Sequence, residues 1–290
     1  MKIRKAVITL AAPNQRRLPL QTLISRDGAP RSVLALLVDE ACRAGAEEVC
    51  LVVRPADREP YSQVLGEHLG RVRFQEQAEP RGYGHAVYQA KGFTGGEPFL
   101  HMVGDHLYVD RRAAGCASEL AAVADREECT VSAVQPTREG LLTRFGAVGG
   151  QRVAGKPGLY RVDTVLEKPT PTEAEQTIVV PGLRAGHYLC FFGMHILTPA
   201  VMEILEEMIQ AGGSPALSLS AALARLPERE KYLACQMSGQ RYDLGSRYGL
   251  FLAQFALAMS GQDRDEILSQ LLEVMALRES GAPAEAESGR

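Results

Sequence analysis

The chain has 290 residues, a length that suits one large α/β domain with a tail or two small domains, the first being the starting expectation, and its formal net charge of −3, 46% hydrophobic and 23% charged residues exclude a disordered majority. That charge gives no overall electrostatic reason to bind nucleic acid or an anionic membrane, although Arg16 and Arg17 form a local basic pair suited to phosphate. No stretch approaches the ~20 apolar residues of a membrane span. The six cysteines (Cys42, Cys50, Cys116, Cys129, Cys190, Cys235) lack a CxxC pair or zinc-site spacing, so reduced thiols and a cytoplasmic protein are expected.

In chain order, "MKIRKAVITLAA" carries an apolar run only as long as a strand, with no cleavage-like site after it, and Lys5 to Leu10 is expected as a buried strand. Val33 to Arg43 has helical apolar spacing, with Ser32 as N-cap and Gly45 as the stop. Glu48 to Val53 is the next strand, which makes a right-handed βαβ unit with parallel strands the simplest arrangement. "RVRFQEQ" precedes "GYGHAVYQA", a glycine-flanked turn entering a helix, and "PFLHMVGDH" is an apolar strand ending in polar residues. "CTVSAVQP", "FGAVGG" and "CFFGMHIL" are further strands, the last leading into a helix with Thr198 as N-cap and Pro199 at its first position, stopped by Gly212 and Gly213. Beyond Gly261 comes one more amphipathic helix, suited either to cover the core or to meet a second subunit, and then a tail of disordered composition.

Asp105 in "VGDH" follows an apolar strand and a glycine, and Asp243 in "YDLGS" precedes a glycine and a helical pattern. Each suits Mg²⁺, which takes a few carboxylates plus phosphate oxygens, and each equally suits a turn cap. His101 and His106 stand in H-x4-H spacing without a third ligand and read as ordinary sheet histidines. Glu167 and Lys168 in "LEKPTP" suit either a phosphate contact or a solvated loop, and Gly82 and Gly84 either a close ligand approach or a helix-capping turn. Neither G-x-G-x-x-G after the first strand nor a Walker pattern is present.

Taken in order, "KAVIT…QR..LPLQ", "EEVCLVV", "EQAEPRGYGHAV", "VGDHLYV", "FGAV", "LEKP", "FGMHILTPAV" and "YDLGSRYGLFLAQ" resemble the sugar-1-phosphate nucleotidyltransferases, and look most like the bacterial UTP:glucose-1-phosphate uridylyltransferases. The resemblance covers about Lys5 to Gln254. It implies a Rossmann-like mixed, mostly parallel sheet flanked by helices, with nucleoside triphosphate at the first loop. It also implies attack of a sugar 1-phosphate on the α-phosphate, with release of pyrophosphate and Mg²⁺ as cofactor. Residues 1–261 would then be the nucleotidyltransferase domain, 262–279 a C-terminal helix and 280–290 a disordered tail, the partners being small molecules, with a homo-oligomer left open.

By position, the resemblance assigns the metal to Asp105 and Asp243, the reacting phosphate to Lys168 and the departing pyrophosphate to Arg16. Ala11, Ala12, Asn14, Gln77 and Gly82 take the nucleotide side, and Gly146, Glu167 and Gly193 the sugar side. Departures are equally visible: Ala12, Pro13 and Asn14 replace a glycine-rich loop, Thr22 replaces a lysine, Arg26 matches a second lysine and partly compensates, and Ala216 replaces a sugar-binding glutamate. They motivate an alternative, a catalytically impaired relative that binds nucleotide or nucleotide-sugar and acts through a partner.

Overall fold

Lys5–Thr9 forms the first strand, β1, buried from Ala6 onward as an apolar strand covered on both faces should be. The computed structural model describes residues 1–13, 15–110, 112, 114–212 and 216–280. After β1 come a small hairpin, β2 (Thr22–Ile24) and β3 (Pro30–Ser32), then α1 (Val33–Arg43), β4 (Glu48–Val53), α2 (Arg58–Val64), β5 (Val72–Glu76), α3 (Tyr83–Gln89) and α4 (Lys91–Thr94). The middle of the chain contains β6 (Phe99–Val103), β7 (His106–Val109), α5 (Cys116–Glu127), β8 (Thr130–Arg138), β9 (Ala147–Arg152), β10 (Leu159–Leu166) and α6 (Pro171–Thr177). It ends with β11 (His187–Leu197), α7 (Pro199–Gln210), α8 (Leu219–Arg225), β12 (Tyr232–Gln236), β13 (Gln240–Asp243), α9 (Gly249–Met259) and α10 (Arg264–Ser280).

The α1 boundaries follow from local chemistry. Ser32 Oγ accepts the Ala35 N–H at 3.0 Å, satisfying a donor that the first helical turn leaves unpaired. Gly45, at φ +101°, turns the chain out of the helix in a conformation that favours glycine. Between them Leu34 and Leu37 are fully buried, each contributing about 1.5–3 kcal/mol of transfer free energy. At Thr198 the expected N-cap position is correct, yet its hydroxyl donates to Glu230 at 2.8 Å rather than capping, and Pro199 stands at the first position of α7.

Nine strands make one mixed sheet in the order β5-β4-β1-β6-β11-β8-β12-β10-β9. β5, β4, β1 and β6 run parallel, the expected βαβ arrangement, while β11 enters antiparallel between β6 and β8. β9 also pairs with β11 through Leu189↔Val148 and Cys190↔Ala147, so the last five strands close on themselves. Alternate residues feed two cores: Ala6 and Ile8 pack under α1, α5 and α9, and Val7 packs under α3, α7 and α8. No helix is long and apolar enough to cross a membrane among the described residues.

The helix expected after Gly261 is present as α10, but its apolar side chains are not all covered: Leu272, Val274 and Met275 are exposed. The tail beyond Ser280 lies outside the described residues.

Candidate active site

Three strand ends bring the acidic residues together. β6 stops at Val103, and Gly104 passes so close to the first loop that a Cβ there would lie 2.0 Å from Leu10 Cδ2, which is why a glycine leads into Asp105. β7 then runs antiparallel to β13 with His106 opposite Asp243, and Leu244 N–H donates to Asp105 O at 2.9 Å. Asp105 and Asp243 therefore sit at the same end of one two-stranded ribbon, where facing residues are roughly 4.5–5.5 Å apart at Cα. Burial alone would raise the Asp105 carboxyl; hydrogen bonds from His106, at 2.7 Å, and from Gln15 outweigh it and hold the group below the usual carboxylate range. Asp243 Oδ1 accepts the Gly245 N–H at 3.0 Å, and a Cβ on Gly245 would also lie 3.4 Å from Gln15 Nε2, so the Gln15 amide stands beside both carboxylates. Among the described residues no three His, Cys, Asp or Glu side chains form a metal cage. Two neighbouring carboxylates are nonetheless what Mg²⁺ uses when phosphate oxygens and water complete its shell.

The first loop crosses above β1. Ala11 is buried, Ala12 and Pro13 are exposed, and Asn14 lies outside the described residues. Arg16 Nε donates to both Asp57 oxygens at 2.7 Å, its Nη2 makes a further bond to Oδ1, and Tyr61 OH donates to Arg16 O at 3.1 Å. Asp57 follows β4 and is buried, so the loop arginine is anchored on the α2 side of the loop, the side of β1 away from β6.

Gln77 and Gly82 meet at the other edge of the cleft. Gln77 is buried, its Nε2 lies 3.5 Å from Gly82 O, and the amides of Gln77 and Gln89 bracket the His85 ring at 2.9 Å each. Gly82 has φ +96°, and a Cβ on it would come within 2.6 Å of Leu217 O. That contact reflects a short backbone pairing, Leu217 N–H to Arg81 O and Gly84 N–H to Leu217 O, both at 2.8 Å, which seats Ala216 beside the same turn. Tyr83 then drops its hydroxyl to 3.3 Å from His101 Nε2. Burial pushes that hydroxyl up, with the Asp105 and Glu167 carboxylates adding to the shift, so the phenol stays protonated at neutral pH.

The closed strands supply the opposite wall. Gly146 O accepts the Phe191 N–H at 2.8 Å, and a Cβ on Gly146 would lie 2.7 Å from the Phe191 ring. Glu167 accepts the Ser220 hydroxyl. Gly193 falls in an irregularity of β11 at φ +89°, with Tyr108 OH donating to its carbonyl at 2.7 Å. Lys168 has φ +47°, a left-handed conformation that a lysine before proline adopts only under constraint, and its Nζ is 3.8 Å from Glu167 Oε1. Beneath this wall Arg241 of β13 stacks on Phe145, 3.7 Å from the ring centroid, and donates to Phe191 O and to Thr137 Oγ1. Burial lowers its guanidinium to about 10, still charged at neutral pH, and the side chain ties the ribbon bearing Asp243 to the wall bearing Gly146.

Residues 16–259 match the family model for nucleotidyl transferases. The chain belongs to this family. It is 28% identical to the UTP–glucose-1-phosphate uridylyltransferase of Streptococcus pneumoniae serotype 4, over 94% of this chain and 96% of the relative. In fold, a UDP-glucose pyrophosphorylase from Acinetobacter baumannii has a TM-score of 0.72 at 23% identity, covering 94% of this chain and 99% of that one. A UDP-glucose pyrophosphorylase complexed with UDP-glucose has a TM-score of 0.69 at 22% identity, covering 88% and 98%.

Within this nucleotidyl transferase, one of the sequence expectations falls away from Asp105. Thr22 lies in β2, and Arg26, expected to compensate for the missing lysine, donates to Arg112 O at 3.4 Å, past the end of β7 opposite to Asp105. The short hairpin β2–β3 carries it there. Conversely His106 is no ordinary sheet histidine, because its ring holds Asp105. Gln15, Asp57, Tyr83, Ser220 and Arg241 complete the arrangement without a sequence signal of their own, except that Gln15 adjoins Arg16 and Arg241 lies two residues before Asp243. Gly82→Ala should cost about 2 kcal/mol or more, since the methyl meets the Leu217 backbone and the residue is strained at this φ; urea unfolding checks this, and a midpoint within error of wild type would show that the turn relaxes freely.

Proposed function

We propose that the chain transfers a uridylyl group from UTP to glucose 1-phosphate with Mg²⁺, giving UDP-glucose and pyrophosphate, and that residues 1–261 carry the activity. The observation that carries this reading is the meeting of Asp105 and Asp243 at one end of the β7–β13 ribbon. The names of the relatives support the substrates: the chain aligns over nearly its full length with a UTP–glucose-1-phosphate uridylyltransferase, and a fold neighbour from Acinetobacter baumannii is described as UTP-bound.

In this reading Asp105 and Asp243 hold the metal, which when bound neutralises phosphate charge, while His106 and Gln15 fix the Asp105 carboxylate. Gln77, Gly82, Ala11, Ala12 and Asn14 take the nucleotide, and Gly146, Glu167 and Gly193 face the sugar. Lys168 steadies the α-phosphate as a sugar-phosphate oxygen bonds to it and the bond to the β-phosphate breaks; Arg16 faces the departing pyrophosphate. Catalysis is then positioning and charge neutralisation, with no covalent role for a side chain. Purified protein with Mg²⁺, UTP and a panel of sugar 1-phosphates should release pyrophosphate with glucose 1-phosphate; silence with every sugar and every nucleoside triphosphate removes the reading. Lys168→Ala should lower kcat ~100-fold while changing the KM for UTP far less, because its charge matters most at the reacting phosphate. Equal effects on both parameters point to a plain binding role.

A second reading has its own observation. With Arg16 engaged by buried Asp57, and Thr22 and Arg26 in the hairpin, the triphosphate meets fewer cations, which favours a protein that binds nucleotide or nucleotide-sugar without turnover. The triple substitution Ala12→Gly, Asn14→Gly and Thr22→Lys separates the two: gain of pyrophosphate release from an inert parent supports the binding protein.

A further inference from the structure

Helix α3 places His85 between two glutamines, with Gln77 Nε2 2.9 Å from its Nδ1 and the Gln89 amide 2.9 Å from its Nε2. Burial lowers the imidazole below its usual value, and Arg81 adds to this against Glu79, so the ring is neutral at neutral pH and carries a single N–H. A neutral ring cannot accept at both nitrogens, so one of the two amides must meet it with oxygen. Gln77 also turns its Nε2 toward Gly82 O, at 3.5 Å, and a carbonyl can only accept. The NH2 end of Gln77 therefore faces Gly82 and His85, His85 Nδ1 accepts, and the proton sits on Nε2, where Gln89 meets it with oxygen.

The other end of the Gln77 amide is free. Gln77 is only 4% exposed, and its oxygen has no partner among the described residues. No buried side-chain nitrogen or oxygen among them is left unpaired, so this oxygen is open to solvent. It lies just past β5, and because β5, β4, β1 and β6 run parallel, Gln77 shares their C-terminal edge with Ala11 and Asp105, where ligands of open α/β sheets bind. Given the nucleotide role proposed above for Gln77, on which this rests, we infer that His85 is a specificity-determining positioning residue: it takes the Gln77 N–H, turns the Gln77 oxygen toward the base, and so selects a base with a ring N–H, as uracil has at N3, over cytosine, whose N3 is an acceptor.

Uracil and cytosine have nearly the same outline, so shape discriminates little between them, whereas a mismatched hydrogen bond discriminates strongly. An amide able to turn would suit both, offering oxygen to one N3 and NH2 to the other. Held by His85, Gln77 sets its oxygen against the cytosine N3 lone pair; turned about, it sets that oxygen against Gly82 O and leaves His85 Nδ1 without a donor. His85 acts through Gln77 and needs no contact of its own with the nucleotide.

Calorimetry with Mg²⁺ and no sugar phosphate should show UTP binding the unaltered chain ~30-fold or more tightly than CTP. His85→Leu removes the acceptor and frees the Gln77 amide, so the preference should fall to ~3-fold or less. Circular dichroism and the urea midpoint on the same sample establish that the variant is folded; a merely structural role for His85 would weaken both nucleotides and keep their ratio. As a second measurement, nitrogen-15 NMR of histidine-labelled protein at neutral pH should show His85, identified by its loss in His85→Leu, protonated at Nε2 and bare at Nδ1. A protonated Nδ1, an unaltered chain that binds UTP and CTP equally, or a folded His85→Leu that keeps the full preference overturns the proposal. Pyrophosphate release from UTP and glucose 1-phosphate by a chain that fails these tests leaves the proposed function standing without His85, while failure to bind either nucleotide removes both.

Discussion

Asp105→Asn and Asp243→Asn should each reduce kcat/KM for pyrophosphate release by ~1,000-fold or more while leaving the urea midpoint nearly unchanged. Asparagine keeps the shape and an acceptor oxygen, so His106 can still meet residue 105 and the Gly245 N–H can still be capped by residue 243. What disappears is one negative charge of the pair that would hold the metal against the triphosphate, beside a largely buried Asp105 where charge is screened less than in water. Activity within tenfold of wild type in either variant removes that residue from the metal site. A large loss of stability would instead identify a structural carboxylate.

Acid should unfold the protein by a route unrelated to the cleft carboxylates. His101 and His195 lie fully inside the sheet layer, His195 Nδ1 being 2.7 Å from Ser132 Oγ, whose oxygen is 2.6 Å from Tyr232 OH. Burial lowers both imidazoles, and the neighbouring His195 lowers His101 further; His195 falls to about 3. The sign follows directly. Folded chains keep both rings neutral, while unfolded chains protonate them below about pH 6.5, so the full stability is present above that pH and is lost as pH falls. Each ring costs about 1.4 kcal/mol per pH unit, which makes roughly 4 kcal/mol between pH 6.5 and 5 for the two together, a large part of a typical 5–15 kcal/mol total. Urea unfolding at pH 7 and pH 5 tests this, and His195→Gln should remove about half of the pH dependence. Equal midpoints at the two pH values would mean that water or relaxation admits the charge.

Much of the frame is legible in the sequence because it is written in local terms. Ser32, the apolar spacing of Val33 to Arg43 and Gly45 define α1 without reference to the rest of the chain, and Lys5–Thr9 and Glu48–Val53 are apolar runs that only a covered parallel sheet accommodates. The order of the motifs points to the cleft. The pairing within it is not local: β7 and β13 are four residues each, separated by more than a hundred positions, and no periodicity announces that His106 will face Asp243. Side-chain rivalry is equally silent. Arg16 reads as a phosphate ligand, and only the path of the chain after β4 reveals a buried Asp57 within reach of it. His101 reads as an ordinary sheet histidine until Tyr83 and Thr9 are seen beside it, and Arg26 is carried away from Asp105 by the hairpin in which it sits.

The return of β9 to β11 has a consequence for how these molecules meet in concentrated solution. Because one flank of the main sheet is stitched to itself at Val148 and Ala147, β5 is left among the described strands as the rim paired on one side along its whole length, and Arg73 there, paired with Glu48 at 3.4 Å, makes a poor template for another backbone. Growth of an endless ribbon needs two rims per molecule. Here strand-to-strand joining of main sheets could only consume both partners' rims at once, and would end with a pair.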